Sequence, residues 1–236
     1  MSFAEPRLVR AELVSQTLLS PRVRGLTLST LGPDPLEWLP GQYVEVGSPG
    51  EAKRMPYSVA SAPDPARPGV FELAVLRGSG GGVLDELVVG GSVEVIGPRG
   101  SFVRLTPPGP PEVFIGTGTG LAPLRAMLQS ALAEGGDARL FVLFGARSEA
   151  EILWREELEA LAAKHARLGY ATTLSQPQNG WAGLRGRVQD HLAAVLAPLA
   201  GARVYVCGVS EMVADCVARL TGELGVPRER VVTEGH

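Results

Sequence analysis

The residues that most constrain this fold are Val113-Phe114-Ile115-Gly116-Thr117-Gly118-Thr119-Gly120-Leu121-Ala122-Pro123-Leu124. Val113 to Ile115 carry no charge, as in a parallel strand covered on both faces. Glycines at every second position then leave backbone N–H groups unshielded by side chains. Pro123 suits the first turn of a helix, where its missing N–H costs nothing. The stretch therefore predicts a strand, a loop and a helix over Pro123–Leu132, with a pyrophosphate at the positive end of that helix. On this stretch alone, a tight structural turn stays open as the second reading. An ordinary dinucleotide fold also needs Asp or Glu about twenty residues on, to hold the ribose. Here the second strand, Arg139 to Phe144, runs into Gly145-Ala146-Arg147-Ser148 without an acid. That disfavours a common dehydrogenase and favours another lineage of nucleotide domain working beside a second domain.

The length of 236 residues and the apolar content of 45% allow two domains with cores of their own. A net charge of −3, from 22 basic and 25 acidic residues, leaves no footprint for nucleic acid. The first residues contain no apolar signal region, and no apolar run is long enough to span a membrane, so a soluble cytoplasmic protein is expected. Cys207 and Cys216 are too few to ligate an iron–sulfur cluster, so a redox centre has to be organic. His165, His191 and His236 are scattered, and no metal site is expected. No G-x-S-x-G elbow supports hydrolysis.

From Leu8 to Gly100 the pattern is of short strands parted by Gly and Pro. They are Leu8–Val14, Val23–Leu28, Tyr43–Val46, Tyr57–Ala60, Phe71–Leu76 and Val93–Ile96, and they predict a closed antiparallel barrel. Gly78-Ser79-Gly80-Gly81-Gly82 opens onto a helix-like Val83–Val89, with Leu84, Leu87 and Val88 on one face, giving a second candidate anion site. Thr106-Pro107-Pro108-Gly109-Pro110-Pro111 reads as a stiff connector, dividing a barrel domain at 1–107 from an α/β domain at 112–236. Beyond it, strands alternate with helices at Pro123–Leu132, Glu149–Lys164, Val188–Leu196 and Glu211–Leu224, as βαβ units around a parallel sheet demand. Ligands of such sheets bind outside the strands' carboxyl ends.

This plan resembles the ferredoxin–NADP reductase superfamily. The resemblance rests on Pro40-Gly41-Gln42-Tyr43, Pro56-Tyr57-Ser58-Val59-Ala60-Ser61, Gly97-Pro98-Arg99-Gly100-Ser101-Phe102, Gly116 to Pro123, and Val206-Cys207-Gly208 through Met212, in that order. It implies FAD held by the barrel, NADH or NADPH held by the second domain, and hydride passing between them. The flavin's residues would be Arg54, Pro56, Tyr57, Ser58, Val75, Gly78, Gly80, Gly81, Gly82, Val83 and His236. The nicotinamide nucleotide's would be Gly116, Thr117, Gly118, Thr119, Gly120, Pro123, Arg147, Cys207, Gly208 and Met212. Ser58, Cys207 and Glu234 would lie at the reacting atoms, with His236 where relatives place a terminal aromatic over the flavin. Electrons would leave for a ferredoxin, a flavodoxin, an oxygenase component or a small acceptor. Alternatives are a flavin reductase with flavin as substrate and a non-catalytic electron-transfer subunit.

Two departures stand out. The family's Arg-x-Tyr-Ser becomes Arg54-Met55-Pro56-Tyr57, so alternation turns Arg54 to the wrong face unless a bulge absorbs one residue. Gly81 stands where a hydroxyl residue is frequent. Ser175-Gln176-Pro177, without the Ser-Arg pair of NADP-specific relatives, predicts a preference for NADH.

Overall fold

The computed structural model describes residues 5–78, 82–104 and 109–235. The expectations placed on Gly80, Gly81, His236 and the Thr106-Pro107-Pro108 part of the connector lie outside them. The chain divides into two compact units. One runs to Arg104 and takes in Arg125–Ala133, and the other holds Leu105–Leu124 and the residues from Glu134 onward.

The first unit is the antiparallel barrel. Its strands are β1 (Arg7–Ser20), β2 (Val23–Leu31), β3 (Tyr43–Gly47), β4 (Met55–Ser58), β5 (Val70–Leu76) and β6 (Ser92–Arg99), in the order β4-β3-β6-β1-β2-β5. An antiparallel bridge between Val59 and Leu73, with Ala60 N donating to Glu72 O at 2.7 Å, closes the ring. Alternation turns Ala11, Leu13, Leu26, Leu28, Val44, Val46, Phe71, Leu73, Val93 and Val95 into one core. Each such Val, Leu or Phe contributes roughly 1.5–3 kcal/mol. Trp38 fills one end, with its edge on Phe71 and Nε1 bonded to Ser61 O at 2.9 Å. Arg125 is buried in this unit, where it donates to Ala60 O and pairs with Glu72 at 2.9 Å. The helix α1 is one turn, Val83–Glu86, shorter than its apolar spacing predicts. The backbone turns extended at Leu87, which leaves Val88 exposed instead of beside Leu84.

The second unit has a wholly parallel sheet of β7 (Glu112–Thr117), β8 (Leu140–Ala146), β9 (Leu168–Leu174), β10 (Leu184–Arg185), β11 (Arg203–Gly208) and β12 (Val231–Gly235). Their order is β10-β9-β8-β7-β11-β12. The strand order reverses between β7 and β11, the position where open α/β sheets take ligands. The sequence pattern missed β10. Helix α2 (Leu121–Ala133) follows a 3₁₀ turn at Gly118–Gly120. The expected helix Glu149–Lys164 is broken: a 3₁₀ turn at Glu149–Glu151 gives way to buried Ile152 and Leu153, and α3 (Arg155–Lys164) starts after a left-handed Trp154 at φ 49°. Burying those two residues takes precedence over helical continuity. Val188–Leu196 likewise splits into a 3₁₀ turn and α4 (Leu192–Leu196), and the last helix into α5 (Ser210–Ala218) and a π turn at Arg219–Glu223.

Candidate active site

In the barrel, β4 pairs with β3 without a register shift: Met55 opposes Val46, Pro56 Glu45, Tyr57 Val44 and Ser58 Tyr43. Met55 and Tyr57 thus share the face of the buried Val44 and Val46, while Pro56 and Ser58 take the other. Tyr57 packs against the barrel core and its hydroxyl reaches the turn into α1: a Cβ at Gly82 would stand 3.1 Å from Tyr57 Oη and 3.5 Å from Met55 Cγ. A side chain at Gly82 would press on the Tyr57 hydroxyl. Burial, and secondarily the charge of Asp85, pushes the Tyr57 phenol above its ordinary pKa. Asp85 Oδ1 accepts the Gly78 N–H at 3.3 Å. Arg24, which no sequence pattern singles out, donates to the carbonyls of Leu84, Asp85 and Leu87 and so fixes α1 under Gly82 and Val83.

At two of the positions expected to meet the flavin, the side chain is engaged within the protein. Arg54 is bound to Glu94 Oε2 at 2.6 Å, with both side chains mostly buried at 17% and 14% exposure. No bulge in β4 swings it to the Tyr57 face, and the bare Cα of Gly47 makes room for its stem, since a Cβ there would stand 2.8 Å from Arg54 Cγ. Val75 is 1% exposed and belongs to the barrel core, so its side chain offers nothing to a ligand.

In the second unit the glycines divide the labour. Gly118 holds φ +54° with open space around it, the arrangement that lets a ligand approach the backbone. Gly120 is different: a Cβ there would lie 2.6 Å from Cys207 O and 2.8 Å from Gly208 Cα. It packs the loop tightly against β11. Gly116 likewise packs on Leu124. Thr117 Oγ1 is buried without a hydrogen-bond partner, and a Cβ at Gly208 would collide with it. An orphaned hydroxyl beside an open, left-handed Gly118 at the head of α2 fits a polar ligand carrying phosphate. Pro123 is buried in the first turn of α2.

Cys207 pairs with Gly116 on one side and Glu234 on the other, so β7, β11 and β12 bring loop, thiol and carboxyl to one sheet end. Cys207 Sγ donates to Glu234 Oε2 at 3.9 Å. Burial first, then the charge of Glu234, pushes the thiol far above its ordinary pKa, so it is protonated at neutral pH. Met212 is buried next to Gly208, with Cys216 Sγ 3.5 Å from its sulfur. Arg147 is exposed just after β8, and its carbonyl accepts Gln176 N at 2.8 Å. Strand β10 places Arg185 beside Leu174 at the end of β9. Among the described residues no cluster of His, Cys, Asp or Glu suits a metal ion. No helix of the described residues is long and apolar enough to cross a membrane.

Comparison with known proteins agrees with this layout. The oxidoreductase FAD-binding domain model matches residues 10–103 and the oxidoreductase NAD-binding domain model residues 114–218. Ferredoxin–NADP reductase B of Sorangium cellulosum is 42% identical over 245 residues, covering 99% of this chain and 98% of that protein. The ferredoxin–NAD(P)(+) reductase component of a Ralstonia naphthalene 1,2-dioxygenase/salicylate 5-hydroxylase system is 37% identical over 197 residues, covering 81% of this chain but only 58% of its relative. Among solved structures, the Amycolatopsis cytochrome P450 reductase GcoB matches with a TM-score of 0.86 and 28% identity, over 98% of this chain and 70% of that one. The chain thus belongs to the ferredoxin–NADP reductase family, as an oxidoreductase that uses FAD and NAD(P)H.

Proposed function

We propose that this chain draws electrons from NAD(P)H through FAD and delivers them to a separate ferredoxin or oxygenase component in the cytoplasm, with residues 1–107 serving the flavin and 112–236 the nicotinamide nucleotide. The bound cofactors supply the hydride chemistry. The observation that carries the assignment of roles is the meeting of Gly118, Thr117, Cys207 and Glu234 at one sheet end. Thr117 and the backbone around Gly118 hold the nucleotide. Cys207 presents a neutral thiol, its proton directed at Glu234, to the ring that gives up hydride. The negative field of Glu234 favours the positive charge that develops on that ring. Tyr57 provides an aromatic wall for the flavin, and Ser58 a hydroxyl. The acceptor is drawn from the names of the relatives, and the free thiols Cys207 and Cys216 suit a reducing compartment.

Purified protein tests this directly. It is expected to stay yellow through desalting, to bleach with NAD(P)H, and to reduce an added ferredoxin. Cys207→Ala is expected to slow bleaching by about 10²-fold or more, in the range seen when one preorganised transition-state contact is removed. A colourless protein that turns over no added flavin overturns the proposal. One observation favours a second reading, in which flavin comes and goes as a substrate: the diversion of Arg54 to Glu94 removes a cation from the flavin's phosphates.

A further inference from the structure

Helix α2 follows the connector in sequence, yet its residues Arg125–Ala133 belong to the same compact unit as the barrel. Two side chains one helical turn apart, Arg125 and Gln129, bind the barrel's backbone. Both act on the stretch that follows Tyr57 and Ser58. Arg125 Nη1 donates to Ala60 O at 2.7 Å and to Glu72 Oε2 at 2.9 Å, and Gln129 Oε1 accepts the Ala62 N–H at 2.9 Å.

Residues of the barrel itself hold the same stretch. Val59 N donates to Gln42 O at 2.9 Å, Ala60 N to Glu72 O at 2.7 Å, and Trp38 Nε1 to Ser61 O at 2.9 Å. Ser61 Oγ accepts the Glu72 N–H at 3.0 Å. The Arg125 side chain is 7% exposed and that of Glu72 33%. A cation buried to this degree adds little net stability through its ion pair, because desolvation offsets the attraction. What it adds is direction, since a planar guanidinium fixes the angle at which its acceptors are held. Here those acceptors are the backbone of one short stretch and the carboxylate of the strand beside it.

We propose that Arg125, with Gln129 beside it, is a positioning residue for the flavin strand. It holds the backbone at Ala60–Ala62, so that the Ser58 hydroxyl and the Tyr57 ring, two and three residues before Ala60, keep one orientation toward the flavin through turnover. Arg125 acts through the strand and is not itself a flavin contact. The proposal rests on Tyr57 and Ser58 meeting the flavin, as proposed above.

Anaerobic stopped-flow reduction of the FAD-loaded protein by NAD(P)H tests it, because it separates the limiting rate of flavin reduction from the dissociation constant of the nucleotide. Arg125→Met keeps an unbranched apolar stem and removes the donors. It is expected to retain FAD through desalting and to lower the limiting rate about tenfold or more, as small misplacements of reacting groups do. The nucleotide dissociation constant is expected to stay within about twofold of wild type, the split that marks an effect on the chemical step. Arg125→Lys returns a cationic donor and is expected to recover most of the rate. Gln129→Leu removes one neutral bond, is expected to lower the rate severalfold, and carries the test if Arg125→Met loses its flavin. A lowered melting temperature with an unchanged limiting rate in the variant that retains FAD means that the pair is only a structural tie, and overturns the proposal. An Arg125→Lys variant no faster than Arg125→Met overturns it as well. Both outcomes leave the proposed function standing if the wild type holds FAD and is bleached by NAD(P)H. A wild type that does neither overturns both.

Discussion

A side chain at Gly120 has nowhere to go, because its first carbon meets the backbone of Cys207 and Gly208, and a strand backbone does not yield. Gly120→Val is therefore expected to act on the fold, at roughly 1–3 kcal/mol for overpacking, seen as a lowered melting temperature. Gly118 has open space but a left-handed backbone, which costs a non-glycine residue about 1–2 kcal/mol. Gly118→Val should remain folded with its flavin spectrum intact while the dissociation constant for NAD(P)H rises about tenfold or more. Wild-type affinity in that variant would mean that the loop is only a turn. The cysteines give a separate expectation. Burial pushes Cys207 far up and Cys216 up to about 12, so both are neutral thiols near pH 8. Native protein should resist iodoacetamide at that pH and label at both positions once denatured. Because the folded state holds these protons more tightly than the unfolded chain, stability is unaffected below about pH 9 and declines as pH rises from about 9 to about 12. Melting temperatures across that window check the direction, and Cys216→Ala should flatten part of the decline.

At the scale of the element, the two-residue strand β10 bears on nucleotide choice. It sets Arg185 beside Leu174 at the end of β9, and two residues on Gln176 N donates to the carbonyl of Arg147. Arg185 Nη2 is engaged with Trp181 O at 3.0 Å, and Ser175-Gln176-Pro177 supplies no cation of its own. A preference for NADH over NADPH in kcat/KM is expected. A preference for NADPH beyond about tenfold, roughly 1.4 kcal/mol of transition-state binding, would refute it, and loss of that preference in Arg185→Ala would identify the cation responsible. Strand β10 is also where sequence reading failed, since two residues cannot display a period. The strand, loop and helix from Val113 were legible because unshielded glycines, an uncharged run and Pro123 each report local backbone demands. The break at Trp154 was not, because burial of Ile152 and Leu153 decides it against a helical local pattern. The division between Gly118 and Gly120 could not be read either, since one faces open space and the other a strand nearly ninety residues away in sequence. The pairing of Arg54 was hidden for the same reason: its partner Glu94 is 40 residues distant, and Arg24 reaches the α1 carbonyls across 60 or more.

For the whole molecule the question is how electrons leave. Nicotinamide gives two as a hydride, whereas a ferredoxin accepts one at a time, so the flavin has to divide the pair. The two cysteines of the sequence cannot hold an iron–sulfur cluster, so among the groups this chain binds the division falls to FAD. The Sorangium reductase is matched over 98% of its length, whereas the oxygenase reductase component of Ralstonia is matched over 58%, so the first is the nearer guide to how this chain is laid out. Two molecules of reduced ferredoxin, or of ferrocyanide from ferricyanide, are expected per NAD(P)H consumed under anaerobic conditions. The count is made by following acceptor and nucleotide absorbance together. If no one-electron acceptor is reduced, and NAD(P)H oxidation instead tracks added free flavin mole for mole, the flavin is a substrate that departs with both electrons, and the second reading holds. If the ratio is two with flavin retained by the protein, the barrel keeps its cofactor through turnover. The pairing of Arg54 with Glu94 is then compatible with a retained flavin, and the second reading fails.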